Sequence, residues 1–225
     1  MKDYDTSHIK DSTSNANNGT KVNSNEPIEV DGKVAKAQSF DGSNDYVDCG
    51  NNPSLYPAHM TLETWAQPKG TANYPRLVSC LKRETTWKGY EFYMVTGTWD
   101  TAAQINIGGS FYGFTLANFN NVWKHLVFTV DGTYFRAYVD GVEHNDSPKS
   151  WSGNVTYPST VQSLRMGLNP SVGVAFKGLL DEVRLSDTPR SAAWIKASYN
   201  SENNSLVSYG NEEGIDNAVF FGCNF

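Results

Sequence analysis

Two carboxylates sit side by side in an otherwise apolar run, Leu179-Leu180-Asp181-Glu182-Val183-Arg184-Leu185. Burying an unpaired carboxylate costs several kcal/mol. Asp181 or Glu182 therefore requires a partner, and an ion pair with Arg184 or Arg165 is one solution. The other reactive side chains are scattered. Glu91 lies between Tyr90 and Phe92 with no carboxylate two residues on, and Glu63 is equally isolated in Leu62-Glu63-Thr64-Trp65. His8, His59, His125 and His144 have no Ser/Asp pattern nearby. Cys49, Cys80 and Cys223 have neither metal-ligand spacing nor an even count, and read as small buried hydrophobes. Nothing in these spacings predicts an enzyme. The densest mixture of aromatic and polar groups runs from Arg83 to Trp99. Aromatic faces there can stack on sugar rings while polar groups hydrogen-bond, which makes Arg83, Trp87, Tyr90, Tyr93 and Trp99 candidate ligand contacts. The same residue types also pack cores and protein interfaces.

The elements that must position these residues are mostly strands. Met60 to Gln67, Arg76 to Leu81, Tyr90 to Val95 and Gln104 to Ile107 read as strands, as do Trp123 to Val130, Tyr134 to Val139 and Lys177 to Leu185. Asp131-Gly132 and Asp140-Gly141 are strong hairpin signals. Turn signals recur about every ten residues, as in a sandwich or jelly roll. Ser191 to Tyr199 is the one convincing helix, capped by Ser191 after Pro189-Arg190. The fold class is all-β: a two-sheet antiparallel jelly-roll sandwich with one short helix near the C-terminus.

A chain of 225 residues is long enough for one large β domain. We place it over residues 1–210, with a polar loop or arm over 9–33 and a C-terminal tail over 211–225. The formal net charge is −6 and no Lys/Arg cluster occurs, which argues against nucleic acid as a partner. No apolar run approaches the roughly 18 residues of a membrane-spanning helix, so no membrane insertion is expected. The first residues lack the apolar stretch of a secretory signal. Ala218, Val219, Phe220, Phe221 and Phe225 would together expose an apolar patch. The tail is therefore expected along a sheet edge or against a neighbouring subunit.

Five motifs occur in order: Ser39-Phe-Asp-Gly-Ser-Asn-Asp-Tyr-Val47, Thr61-Leu-Glu-Thr-Trp65, Trp123-Lys-His-Leu-Val-Phe-Thr-Val-Asp131-Gly, Ala137-Tyr-Val-Asp-Gly141 and Phe176-Lys-Gly-Leu-Leu-Asp-Glu-Val-Arg184. The set resembles a laminin G-like domain of the concanavalin A-like lectin/glucanase superfamily over roughly residues 3–210. The resemblance implies a jelly roll with one concave face. The superfamily includes glucanases with an E-x-D-x-x-E strand, which this chain lacks. It also implies a structural calcium ion held by Asp181, the Gly42 carbonyl and the chain near Asp3, with Asp41 and Asp45 as weaker candidates. Calcium and an arginine thus stand as alternative partners for Asp181. The expected function is a non-catalytic carbohydrate-binding or adhesion module of a cell-surface or phage protein. The alternative is a structural virion or surface-assembly protein, such as a capsid decoration or tail component. Partners would be a glycan or surface polymer, or other subunits of such an assembly, including copies of the chain itself as a homo-oligomer. The expected location is extracellular, at a cell surface or on a virion.

Overall fold

The computed structural model describes residues 7–22, 26–70, 74–95, 100–107, 110–160, 162–169 and 174–204. Two large antiparallel sheets form a sandwich. Sheet A has eight strands in the spatial order β1 (His8–Ile9), β2 (Gly19–Val22), β5 (Tyr46–Asp48), β17 (Arg165–Met166), β7 (Arg76–Ser79), β10 (Tyr90–Met94), β11 (Asp100–Ile107) and β12 (Ser110–Asn118). Sheet B runs β15 (Val142–Glu143), β14 (Tyr134–Val139), β13 (Lys124–Val130), β6 (Met60–Pro68), β20 (Lys177–Ser186), β4 (Lys36–Asp41) and β3 (Ile28–Asp31), and β16 (Lys149–Ser150) also pairs with β14. Two small ladders complete the set, β8 (Lys82–Arg83) with β9 (Trp87–Lys88) and β18 (Leu168–Asn169) with β19 (Val174–Ala175).

The alternation of side chains along each strand explains the core. Val78, Phe92, Ala103 and Phe114 from sheet A meet Leu62, Leu126, Phe128 and Phe135 from sheet B. Phe92 and Phe135 both pack against Phe128, with ring centroids 5.0 and 5.6 Å away, and Phe114 lies 4.8 Å from Phe135. β6 and β13 are buried on both faces, because α1 (Ala192–Glu202) covers the outside of sheet B. Their second face can therefore be polar, and it carries Glu63, Trp65 and His125. The helix starts where the sequence places it, since the Ser191 side chain accepts the Trp194 N–H, and it runs three residues past Tyr199.

The loop after β1 is ordered by one carboxylate. Asp11 accepts the amides of Thr13 and Asn17 and the Thr13 hydroxyl, while Asn17 donates to Ser54 Oγ. Cys49 and Cys80 are buried free thiols, each pushed up to about 12 by desolvation first of all. Cys223 and the whole 211–225 tail lie outside the described residues.

Candidate functional site

Sheet A presents its other face outward, and the register of its strands builds a polar row there. Asp48 pairs with Arg165, Arg165 with Ser79, Ser79 with Glu91 and Glu91 with Gln104. Residues opposite one another in register share a face, so these five side chains line up across five strands. Arg165 Nε lies 2.9 Å from Asp48 Oδ2, and its guanidinium sits over the Tyr46 ring at 4.7 Å. Glu91 is the centre of the row and is fully buried. Its Oε2 accepts from Arg76 Nε at 3.0 Å and Ser79 Oγ at 2.9 Å, and its Oε1 from Gln104 Nε2 at 2.7 Å. Burial pushes the Glu91 carboxyl above the usual carboxylate range, against the opposing pull of Arg76, Ser79 and Gln104. Asn169 donates to Ser79 Oγ at 2.7 Å and ties the small β18–β19 ladder to the row.

Aromatic rings flank this row. Tyr93 alternates with Phe92 and so shares Glu91's face, half-buried, with Arg76 stacked 5.2 Å from its ring. The Tyr74 ring lies 6.1 Å from Tyr93 and is exposed. One buried ion pair, Arg76–Glu91, beneath partly exposed rings gives a rigid polar platform whose hydrogen-bonding groups are already oriented.

The structure divides the sequence-predicted ligand contacts. Tyr93 lies on the platform. Arg83 and Trp87 pair across the β8–β9 hairpin, which joins β7 to β10. Its turn is held by Glu84, which accepts from Ser159 and Lys88 and is thereby drawn down to about 2. Tyr90 is a correction. It points into the core, fully buried, with its hydroxyl donating to the Leu55 carbonyl at 3.0 Å and its ring edge-on to Phe128 and Tyr157. Strand alternation puts Tyr90 and Tyr93 on opposite faces, so one segment could not present both. Trp99 lies outside the described residues. Sequence reading missed Arg76 and Gln104, which only the strand register brings to Glu91, and Asn169, which reaches the row through Ser79.

Asp181 is buried, and its partners are backbone amides. Its Oδ2 accepts the Val34 N–H and its Oδ1 the Glu182 N–H, both at 2.8 Å, and the Lys33 amide also bonds to it. Burial raises the Asp181 carboxyl, and these amides oppose the rise. Neither proposed arginine reaches it. Arg165 binds Asp48, and Arg184 binds Glu202 and Glu182. Gly42 is not beside it either. Lys177, four residues before Asp181, stands opposite Asp41, which puts Gly42 more than about 13 Å along the strand pair. Asp3 lies outside the described residues. Amide hydrogens, the positive ends of peptide dipoles, occupy the space around the carboxylate, so the residues present do not fit a calcium ion shared with Gly42. Asp45 is buried as well, with Oδ2 accepting the Asp41 N–H at 2.8 Å. Among the described residues, no group of three or more His, Cys, Asp or Glu side chains could hold a metal.

A second charged cluster lies under α1. Trp65 Nε1 donates to Glu202 Oε2 at 2.5 Å, Arg184 Nη1 donates to Glu202 Oε1 at 2.5 Å, and His125 Nε2 lies 3.5 Å from Glu63 Oε2. Trp65, Glu63 and His125 are buried, Glu202 and Arg184 are partly buried, and the cluster fastens the helix to sheet B. Glu63 and His125, isolated in sequence, meet here because β6 and β13 pair in register. Among the described residues, no helix is long and apolar enough to cross a membrane.

Comparison with known proteins places this geometry. A family model described as the concanavalin A-like lectin/glucanases superfamily matches residues 41–196. No curated protein matches the chain in sequence. Among solved structures, domain 4 of an extracellular arabinanase from Geobacillus stearothermophilus, in complex with arabinotriose, is similar with a TM-score of 0.59 and 20% identity, over 76% of this chain and 79% of that one. The binding domain of Paraclostridial mosquitocidal protein 1 has a TM-score of 0.67 and 15% identity over 88% of this chain. The binding domain of botulinum neurotoxin serotype G has a TM-score of 0.63 and 12% identity over 84% of this chain. The match spans only about half the length of each toxin domain, 50% and 47%. At these identities the likeness is one of fold. With the family model covering residues 41–196 of 225 and the two-sheet sandwich in place, this chain belongs to the concanavalin A-like lectin/glucanases superfamily.

Proposed function

We propose that this chain is a non-catalytic carbohydrate-binding module and that its ligand lies on the outer face of sheet A. The observation that carries the reading is the platform itself: Glu91 locked by Arg76, Ser79 and Gln104 beneath Tyr93. A sugar ring stacks on an aromatic face while its hydroxyls meet fixed polar groups. The β8–β9 hairpin with Arg83 and Trp87 would form one rim.

Spacing argues against hydrolysis. Glycosidases set two carboxyl groups about 5–9.5 Å apart. Among the described residues, the carboxylates sharing Glu91's face are distant. Asp48 is three strand intervals away, about 14 Å, and Asp100 lies four residues beyond Gln104, about 13 Å. Glu91 is also engaged by three donors, which leaves it no role as a free acid or nucleophile. The similar arabinanase domain, solved with arabinotriose, supports a glycan as the ligand class and arabinotriose as a first probe. An extracellular, cell-surface or virion location follows from that reading.

The test is calorimetry on wild type, Tyr93→Ala and Gln104→Ala, using arabinotriose and any oligosaccharide retained on a glycan array. Loss of a stacking ring should cost about 1–2 kcal/mol, or roughly five- to thirtyfold in affinity. Unchanged affinity in both folded variants would move the site elsewhere.

A further inference from the structure

β20 is paired on both sides for only half its length. Against β4 its register runs from Lys177 to Leu180 and stops. Against β6 it continues, as Asp181 with Trp65 and then Arg184 to Ser186 with Glu63 to Thr61. Between these two stretches lies a bulge in which Glu182 takes a left-handed backbone, φ 48°. The bulge bends the strand away from the start of β4. Among the described residues, no strand pairs with Glu182–Ser186 on the side away from β6. Every second N–H and C=O there points outward, as on any edge strand.

Beneath this edge the core is open. A cavity of about 330 Å³ runs between β20 and the loop after β1, with Ile9, Leu164, Met166, Val183 and Leu185 on its apolar wall. Four of them, Ile9, Met166, Val183 and Leu185, pack against the core yet stay only partly buried. An unpaired strand edge above an apolar slot has the shape of a strand-acceptor groove, in which an added strand supplies the hydrogen bonds and alternate side chains fill the slot.

We propose that Glu182–Ser186 is such an acceptor edge and that this chain's own segment Ile215–Phe221 pairs with it. Three observations favour that occupant. The described chain ends next to the groove: Glu202, in the last turn of α1, binds Arg184, which lines the cavity, and Asn203 accepts from Lys33. The ten residues between Asn204 and Ile215 span up to about 33 Å, ample to return along β20. In Ile215-Asp-Asn-Ala-Val-Phe-Phe221 one side of a strand carries Ile215, Asn217, Val219 and Phe221, and three of these four are strong strand formers. Ile9 lines the groove too, so residues 1–6 are the competing occupant, but in Met1-Lys-Asp-Tyr-Asp-Thr6 the strand face that would carry Tyr4 otherwise holds only Lys2 and Thr6, and the opposite face holds Met1, Asp3 and Asp5.

The experiment is amide hydrogen exchange by mass spectrometry on the full chain, read on the peptide covering residues 179–187, with β13 as an internal reference for folding. Wild type is compared with Val219→Asp/Phe221→Asp. The proposal expects exchange at 182–186 to speed up at least tenfold in the double variant while β13 is unchanged. A synthetic peptide of residues 213–223 should then restore protection in trans. If the double variant fails to fold, the milder Phe221→Ser is read in its place. Equal exchange in wild type and tail variant overturns the proposal. So does deprotection by Tyr4→Asp with no effect of the tail change, which assigns the groove to residues 1–6. Protection that rises with protein concentration also overturns it, in favour of a neighbouring copy.

Discussion

Arg76→Met removes one partner of the buried pair beneath the proposed site. Arg76 and Glu91 have 8% and 0% side-chain exposure, so Glu91 cannot recover the lost interaction from water. Breaking a buried pair by deleting one partner costs about 3–5 kcal/mol. Glu91 keeps Ser79 and Gln104 as donors, which sets the expectation at the lower end, about 3 kcal/mol. For a domain of this size that corresponds to a melting shift of about 6–12 °C. The pH dependence has a definite sign. Burial already holds the folded Glu91 carboxyl above the ordinary value of 4.5, and losing Arg76 raises it further. A carboxyl raised in the folded state binds its proton more tightly there, so its stabilising contribution is present below about 4.5 and is lost as pH rises through the folded value. The Arg76→Met penalty should therefore be large at pH 7 and shrink toward pH 4.5, and adding Glu91→Gln should recover part of it at pH 7. Urea unfolding at both pH values is the assay. A loss below about 1 kcal/mol at pH 7, or an equal loss at both pH values, would refute the reasoning.

Other expectations follow from the same contacts. Trp65→Phe deletes the indole donor to Glu202 and should cost about 1.5–3 kcal/mol, with faster amide exchange confined first to α1. Burial raises the Glu202 carboxyl, but its bonds from Trp65 and Arg184 outweigh that and leave it lowered. That anchor is thus complete above 4.5 and is lost as pH falls through the folded value, which acid titration of the α1 amides would follow. Glu84, drawn down to about 2 by Ser159 and Lys88, should hold the β8–β9 turn to the 159–160 loop until pH approaches 2, and Glu84→Gln should loosen it at neutral pH by NMR. EDTA should move the melting temperature by less than about 1 °C, because Asp181 is already satisfied by amides. A bound cation at a hundredfold excess over its Kd would contribute about 2.7 kcal/mol, and a shift of several degrees on chelation would reveal it.

The sandwich was legible because its strands announce themselves by alternation and by Asp131-Gly132 and Asp140-Gly141 at their turns. The helix was legible from Ser191. The platform was only partly so. Tyr93 and Glu91 share a strand and a face, two residues apart, but the segment that flagged them also contained Tyr90, whose parity sends it into the core. Gln104 and Arg76 reach Glu91 only across strand pairs, which a linear pattern does not encode. Asp181 shows the same limit. Its need for a partner followed from burial, yet the partners were backbone amides of the 32–34 turn, which carry no side-chain signature. Trp194 lies on the outside of α1 at 36% exposure under Arg190, since Ile195 is the helix residue that docks.

The most direct test of the account is glycan-array screening of the wild type beside Tyr93→Ala, with both proteins verified as folded by their melting curves. The account predicts that the wild type retains at least one immobilised oligosaccharide and that Tyr93→Ala loses it. Retention that Tyr93→Ala leaves intact would contradict the outer face of sheet A as the site. Failure of the wild type to retain any glycan would contradict the carbohydrate-binding reading itself.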